Sequence, residues 1–286
     1  MSHDDAAPAR AGRAILARAH DIRCAYGGGE KDFTAVDGVS LELGEGEILG
    51  LAGESGCGKT TLGNALAMIA TPPLYVLSGA LEIDGESIDL STLSVADLKR
   101  HRPYRGRTVS MLPQGAMNSI SPTLRIRSLV HDVMRAHDPR VSRDEALDLA
   151  RDRLKMLEMP VRVLDSYAHQ LSGGMKQRMI TVISTLQNPR LLIADEPTSA
   201  LDVSSQRMLV EMLLAMVEQR IMSGVVFVTH DLPVLSQVSD QLAIMNAGRI
   251  VETGPTRQLV EEPQHDYTRT LLSSVLDPSE ETRRRG

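Results

Sequence analysis

The chain has 286 residues, with 31 Lys and Arg against 37 Asp and Glu, so its formal net charge at neutral pH is −6. This acidic balance argues against general nucleic-acid binding, which depends on clustered positive charge. Aromatic residues make up only 2% of the chain, so a surface that stacks bases is not expected either. Its two cysteines, Cys24 and Cys57, exclude a disulfide framework and a zinc site made of cysteine alone.

The start of the chain predicts a flexible lead-in over residues 1–20. This stretch carries early acidic residues and no continuous apolar run, so it does not resemble a signal peptide. No apolar run reaches the roughly 20 residues that are needed to span a bilayer. We therefore expect a cytoplasmic chain, held at a membrane only if a partner binds it there.

The first half of the chain predicts strands around one helix. Residues 21–50 alternate between apolar and polar with glycine turns between them, a pattern that favours short antiparallel strands. An apolar run over 47–52 predicts a strand that leads into a glycine-rich turn, and helical spacing follows over 60–68. A strand pair is expected within 79–90 and a short strand over 108–112.

The second half alternates between helices and buried strands. Residues 117–186 have helical character, and buried strands are predicted over 191–194 and 225–229 with a helix over 204–219 between them. Residues 242–251 favour a hairpin. Strands alternating with helices indicate an α/β fold with a mostly parallel sheet. The helical block falls between two of these strands, so we interpret it as an inserted subdomain.

Residues 53–60 read Gly-Glu-Ser-Gly-Cys-Gly-Lys-Thr and fit the phosphate-binding pattern G-x-x-x-x-G-K-[ST] at every specified position. The pattern lies between a predicted strand and a predicted helix, where backbone N–H groups and the helix N-terminus bind phosphate. Lys59 is expected to reach the β- and γ-phosphates, and the Thr60 hydroxyl is expected to bind Mg²⁺. The candidate phosphate-binding residues are Gly53, Ser55, Gly56, Cys57, Gly58, Lys59, Thr60 and Thr61.

An acidic pair, Asp195 and Glu196, follows the apolar strand predicted over 191–194. A carboxylate at the end of such a strand can hold the Mg²⁺ shell. Glu196 comes one residue later and can face the water that attacks in line. Such a pair alone is most often surface charge, and it is the phosphate-binding loop that favours the catalytic interpretation.

The segment 171–178 reads Leu-Ser-Gly-Gly-Met-Lys-Gln-Arg and resembles the signature motif of ATP-binding cassette (ABC) ATPases. Asp195 lies 195 − 172 = 23 residues after Ser172, which leaves room for one helix and a turn. The resemblance covers roughly residues 21–275. It implies a RecA-like P-loop NTPase core with an antiparallel β subdomain, an inserted helical subdomain over about 117–186, and ATP and Mg²⁺ as cofactors.

Other motifs of the same family follow in the family's order. Gln114 resembles the Q-loop glutamine, residues 199–202 resemble the D-loop, and His230 resembles the switch histidine. Tyr26 lies where the family places an aromatic residue that stacks on adenine. The resemblance assigns catalysis to Glu196, His230 and Gln114, and Mg²⁺ binding to Thr60, Gln114 and Asp195.

The signature residues Ser172, Gly173 and Gly174 precede a predicted helix whose N-terminus favours a γ-phosphate. By resemblance, that phosphate belongs to nucleotide on the P-loop of an opposing cassette, so two cassettes close face to face. The implied partners are a second ABC ATPase, identical or different, and transmembrane permease subunits. Residues 114–122 are expected to bind the coupling helix of these permease subunits. An extracytoplasmic substrate-binding protein is an indirect partner, and no nucleic acid is expected.

The C-terminal part resembles the ATPases of dipeptide, oligopeptide and nickel importers over 248–255 and 263–268, with Asp266 in place of the usual proline. This implies an ABC ATPase domain over 21–254 and a peptide-importer-type extension over 255–286. Relatives with an iron–sulfur cluster carry a C-terminal cysteine group that this chain lacks, so no cluster is expected.

The favoured function is therefore the ATPase of an importer of peptides or similar small solutes, at the cytoplasmic face of the membrane. An exporter ATPase, or a soluble ABC ATPase of DNA repair or translation, remains as an alternative. The sequence also predicts a reactive thiol of lowered pKa at Cys57, because a helix N-terminus and Lys59 both favour a thiolate there. A buried, inert thiol is the alternative.

Overall fold

The computed structural model describes residues 13–27, 32–93, 101–115, 121–199 and 201–276. The strands are β1 (Ile15–Tyr26), β2 (Phe33–Gly44), β3 (Glu47–Ala52), β4 (Leu74–Ile83), β5 (Glu86–Asp89), β6 (Val109–Leu112), β7 (Leu191–Asp195), β8 (Gly224–Val228), β9 (Gln241–Asn246) and β10 (Arg249–Pro255). The α-helices are α1 (Lys59–Leu66), α2 (Ile126–His137), α3 (Arg143–Met156), α4 (Gly173–Ser184), α5 (Val203–Glu218), α6 (Leu232–Val238), α7 (Thr256–Glu261) and α8 (Asp266–Leu276).

A six-stranded sheet, in the order β10-β9-β3-β8-β7-β6, forms the centre of the fold. The pairs β9–β3, β3–β8, β8–β7 and β7–β6 are parallel, and the edge strand β10 pairs with β9 in the antiparallel direction. Every residue of β3, β7 and β8 is buried, as expected of strands covered on both faces. Because these three strands are parallel neighbours, the loops that leave their C-terminal ends meet at one edge of the sheet.

A second sheet is antiparallel, in the order β2-β1-β4-β5. Its first strand begins at Ile15, so the expected lead-in over 1–20 is too long. Leu16, Ala17 and Ala19 of that stretch are buried, and they were missed because small alanines give only a weak alternating pattern. Residues 1–12 lie outside the described residues.

The inserted helices α2, α3 and α4 lie between β6 and β7 in sequence, although these two strands are paired neighbours in the sheet. Buried side chains such as Val130, Leu154 and Met179 belong to the same hydrophobic cluster as Leu192 of β7. The insertion therefore shares its core with one face of the sheet. No helix in the described part of the chain is both long and apolar enough to cross a membrane.

The C-terminal helices α7 and α8 follow β10 and pack back onto it. The carboxylate of Glu252 in β10 accepts a hydrogen bond from the backbone N–H of Gln264 at 2.8 Å and another from that of His265 at 3.1 Å. This double contact fixes the start of α8 to the edge of the central sheet.

Candidate functional site

The loop from β3 to α1 contains two glycines at which no side chain fits. Gly53 has a φ of 151°, and a Cβ there would lie 2.1 Å from the Met245 carbonyl oxygen. Gly58 has a φ of 109°, and a Cβ there would lie 2.3 Å from the Ala35 carbonyl oxygen. The loop therefore packs its backbone directly against neighbouring strands, which only glycine permits.

Lys59, the first residue of α1, is buried beneath this loop. Its Nζ donates to the Gly53 carbonyl oxygen at 2.7 Å and to the Glu54 carbonyl oxygen at 2.8 Å. The ammonium group is thus held by the backbone of the loop that it follows in sequence.

Thr60 and Asp195, both expected to bind Mg²⁺, are brought together from α1 and the end of β7. The Thr60 hydroxyl donates to Asp195 Oδ1 at 3.2 Å. Burial raises the pKa of Asp195 to about 6; the Thr60 hydrogen bond and the Lys59 charge oppose this shift, and the Glu196 charge adds to it. A hydroxyl beside a carboxylate is a set of hard oxygen donors, which is the chemistry that Mg²⁺ prefers.

Glu196 and His230 form a direct contact that the sequence did not predict. The His230 backbone N–H donates to Glu196 Oε1 at 3.1 Å, and His230 Nδ1 lies 2.7 Å from the same oxygen. The Thr229 hydroxyl donates to the other oxygen, Oε2, at 3.1 Å. The Glu196 side chain is only 10% exposed, whereas that of His230 is 70% exposed. A buried carboxylate therefore orients an exposed imidazole through Nδ1, which leaves Nε2 as its outer nitrogen.

The backbone at Glu196 is unusual, with a φ of 46° in the left-handed region. Its N–H donates to the Val228 carbonyl oxygen at 2.8 Å, and its own carbonyl accepts from the Ser199 hydroxyl at 2.8 Å. These contacts turn the chain sharply after β7 and bring the Glu196 side chain to the end of β8. Ser199 belongs to the expected D-loop, of which Ala200 lies outside the described residues.

A cleft of about 360 Å³ brings most of these groups together. It is lined by Tyr26, Phe33, Ala35, Ser55, Gly56, Gly58, Lys59, Thr60, Thr61, Gln114, Glu196 and His230. The Tyr26 hydroxyl lies 3.0 Å from Thr61 Oγ1, which ties the antiparallel sheet to α1. Gln114, just after β6, is exposed on the cleft wall. Gly53 and Cys57 belong to the loop but do not line the cleft wall.

The signature residues are not part of this cleft wall as the described residues form it. Ser172 caps α4, since its hydroxyl accepts from the Met175 N–H at 3.3 Å, and Ser172 and Gly173 are exposed. Gly174 lies against the start of α5, where a Cβ would be 2.9 Å from Ser205 Oγ. The chain therefore presents its signature and its P-loop as separate surfaces.

The expected low pKa at Cys57 is wrong. Cys57 is only 8% exposed, and burial raises the pKa of its thiol by more than the charge and hydrogen bond of Lys59 lower it. The helix start is close in sequence, but the Sγ atom is packed behind the loop, where a Cβ on Gly53 would lie 2.8 Å from it. Burial also raises the pKa of Cys24, to about 11.

Two residues of the site were missed from the sequence. Phe33 lies directly opposite Tyr26 in the β1–β2 register and adds a second aromatic ring to the cleft. Thr229 immediately precedes His230 and binds Glu196. The sequence did contain a signal for Thr229, because this polar residue follows a buried strand and precedes a candidate catalytic residue. No local signal marked Phe33.

The comparisons with known proteins agree with this geometry. The ABC transporter family profile matches residues 36–199, and the profile of the oligopeptide/dipeptide transporter C-terminal region matches residues 251–286. The dipeptide transport ATP-binding protein DppD of Caldanaerobacter subterraneus is 36% identical over 263 residues, which cover 92% of this chain and 79% of that protein. The oligopeptide transport ATP-binding protein OppD of Bacillus subtilis is 36% identical over 253 residues, 87% of this chain and 68% of that protein.

The fold matches as well. A dimeric structure of the ATP-binding cassette MJ0796, in a post-hydrolysis state with ADP and Pi, superposes with a TM-score of 0.70 at 26% identity. The match covers 85% of this chain and 99% of that one, and it confirms the expected P-loop NTPase fold. On this evidence, the chain belongs to the ABC transporter family of ATP-binding proteins.

Proposed function

We propose that this chain is the ATP-hydrolysing subunit of an ABC importer, and that it powers uptake of peptides through a partner membrane channel. The observation that carries the ATPase part is the cleft, where Lys59, Thr60 and the Glu196–His230 pair converge at the ends of neighbouring parallel strands. Loops at this edge of an α/β sheet are where ligands bind.

The phosphates of ATP lie along the loop over 53–61, where the backbone amides and the start of α1 favour negative charge. Lys59 compensates the charge of the β- and γ-phosphates. Thr60, Asp195 and Gln114 would hold Mg²⁺, which would neutralise charge on the same phosphates. Tyr26 lines the cleft wall and would stack on adenine, with Phe33 opposite it in the β1–β2 register.

Glu196 is the general base or the carboxylate that orients the attacking water. Its burial among His230 and Thr229 fixes its two oxygens, so that little reorganisation is needed when the water is deprotonated. His230 then extends from the buried carboxylate toward the γ-phosphate. The pair places a base and an imidazole side by side at the end of β8. With Nδ1–H donating to Glu196, the outer Nε2 donates to phosphate when the imidazole carries both protons.

The second half of each site comes from another cassette. The signature, with Ser172 and Gly173 exposed, lies apart from this chain's own cleft. This separation supports a face-to-face dimer in which the signature contacts the partner's nucleotide. The permease subunits bind the dimer and hold it at the cytoplasmic face of the membrane. A substrate-binding protein delivers the solute on the other side, and no nucleic acid takes part.

Peptides are the proposed cargo because both the relatives and the C-terminal region point to peptide importers. The chain aligns over most of its length with dipeptide and oligopeptide transport proteins, and residues 251–286 match the C-terminal region of the same group. An exporter ATPase is the competing function, and no feature of the described residues favours it over import.

The test is transport by the complete complex of this chain, its permease subunits and its binding protein in proteoliposomes. We expect ATP-dependent accumulation of peptide on the side of the membrane that holds the ATP, with hydrolysis stimulated by the peptide-loaded binding protein on the other side. Lys59→Ala in the same complex is expected to abolish both. Movement of solute away from the ATP side of the membrane, or uptake that is independent of the chain, would contradict the proposal.

A further inference from the structure

Helix α8 reaches back to the phosphate-binding loop through a single tyrosine. The backbone N–H of Glu54 donates to the Tyr267 hydroxyl at 3.2 Å, across a separation of 213 residues. The Tyr267 ring is partly buried against the main hydrophobic cluster. Burial raises the pKa of Tyr267. Its neutral phenol can both accept and donate hydrogen bonds.

The start of α8 is held rigidly enough to place this hydroxyl. Glu252 of β10 accepts the backbone N–H groups of Gln264 and His265. His265 Nδ1 in turn accepts the backbone N–H of Tyr267 at 3.1 Å, and Arg269 Nη1 donates to the Pro263 carbonyl oxygen at 2.9 Å. The turn before α8 is thus fixed to the central sheet on one side and to Tyr267 on the other.

The peptide group that Tyr267 contacts is also the one that Lys59 contacts. The Gly53 carbonyl oxygen accepts from Lys59 Nζ at 2.7 Å, and the N–H of the same peptide group, that of Glu54, donates to Tyr267. One end of this peptide dipole is therefore held by the phosphate-binding lysine and the other by α8. A shift of the peptide group changes the position of the loop and of the lysine ammonium together.

We propose that Tyr267 is a positioning residue for nucleotide binding: it fixes the peptide group between Gly53 and Glu54, and so links the C-terminal extension to the P-loop. This inference rests on the proposed phosphate site over 53–61. It gives the extension a direct part in the affinity for ATP. The contact uses only backbone atoms of Glu54. It is therefore compatible with any side chain at this position, which the phosphate-binding pattern does not specify.

The variant Tyr267→Phe in the full-length chain removes the hydroxyl and keeps the ring that packs against the core. Since a hydrogen bond of this kind contributes modestly, we expect the Kd for a non-hydrolysable Mg-ATP analogue to rise by about two- to fivefold. The amide of Glu54 is expected to exchange its hydrogen faster, whereas kcat of the assembled transporter stays near wild type. Thr270→Val is the matched control on the same helix, because the Thr270 hydroxyl donates only within the helix, to the Asp266 carbonyl oxygen at 3.0 Å.

A nucleotide affinity of Tyr267→Phe equal to wild type overturns the inference, whatever the exchange rate at Glu54. An equal loss of affinity in Thr270→Val also overturns it, because the effect then belongs to the helix rather than to the hydroxyl. Lys59→Ala separates this result from the proposed function. If Lys59→Ala binds the analogue normally, the phosphate site itself is wrong; if it loses binding while Tyr267→Phe does not, only the role of Tyr267 fails.

Discussion

The substitution Glu196→Gln tests the chemical step most directly. It keeps the size of a side chain that is only 10% exposed and retains an oxygen that can accept a hydrogen bond from His230 or from Thr229. The change removes the negative charge and the basicity of the carboxylate. Contacts of the P-loop and of Lys59 with phosphate do not involve Glu196, so binding of ATP is expected to persist.

The size of the effect follows from the role assigned to the carboxylate. Proton transfer by a positioned base contributes about 10²- to 10⁴-fold to a rate, which corresponds to about 3–5 kcal/mol of barrier. We therefore expect steady-state phosphate release by the assembled transporter to fall by about that factor. The Kd for Mg-ATP should stay within about threefold of wild type, because the binding groups remain. With hydrolysis blocked, the ATP-bound dimer should accumulate on size-exclusion chromatography.

A chemically matched control is available on the surface of the antiparallel sheet. Glu82 faces His20, with Oε2 at 3.7 Å from Nε2, and both side chains are well exposed. Glu82→Gln makes the same substitution in another glutamate–histidine pair, away from the cleft, and should leave phosphate release unchanged. Turnover of Glu196→Gln close to that of Glu82→Gln would refute the catalytic role of Glu196.

His230→Ala removes the imidazole that Glu196 orients, so phosphate release by the transporter should fall by about 10²-fold or more while Mg-ATP remains bound. Near-normal turnover of this variant would exclude Glu196 and His230 as a catalytic unit. Because burial raises the pKa of Cys57, maleimide should label this thiol much more slowly in the folded chain than in denaturant, and the labelling rate should increase with pH. Equal labelling rates in the folded and unfolded chain, measured by peptide mass mapping, would contradict this expectation. Burial alone would raise the pKa of Glu252, but hydrogen bonds from the start of α8 bring this pKa below its ordinary value. The ionised form of Glu252 therefore stabilises the fold. This stabilisation is present above about pH 4.3 and is lost as pH falls through the lowered pKa. In chemical denaturation, the free energy of unfolding of Glu252→Gln should be about 1 kcal/mol below that of wild type at neutral pH and equal to it in acid.

The elements that the sequence predicted best are those whose pattern is set by burial on both faces. The predicted strand over 47–52 is the whole of β3, because a strand covered on both sides must be apolar throughout. In α5 the helical spacing places Leu209, Met212 and Met216 in the core, whereas Met208 of the same helix is exposed. The start of β1 was missed because alanine carries too little apolar surface to mark a register.

The candidate site divides along similar lines. The P-loop and Asp195 were predictable because each lies at a strand end with a motif beside it. The Glu196–His230 contact was not, because it depends on β7 and β8 being neighbours and on the left-handed turn at Glu196. The Tyr267–Glu54 contact was equally hidden, since no local pattern reports which helix packs behind a loop 213 residues away. Cys57 shows the opposite error: sequence proximity to Lys59 indicated a charge effect, and burial outweighed it.

Residues 199–202, the expected D-loop, connect the two surfaces that this chain would present to the proposed dimer. Asp202 caps α5 by accepting hydrogen bonds from the backbone and hydroxyl of Ser205, and Ser205 lies against Gly174 of the signature. At the other end of the same loop, Ser199 holds the carbonyl of Glu196. A side chain larger than hydrogen at Gly174 would displace Ser205, because its Cβ would lie 2.9 Å from the hydroxyl. The absence of a side chain therefore lets Gly174 pack closely on a segment whose far end fixes the backbone of Glu196. On the proposed function, this short segment connects the half-site for a partner's nucleotide with the chain's own hydrolytic carboxylate.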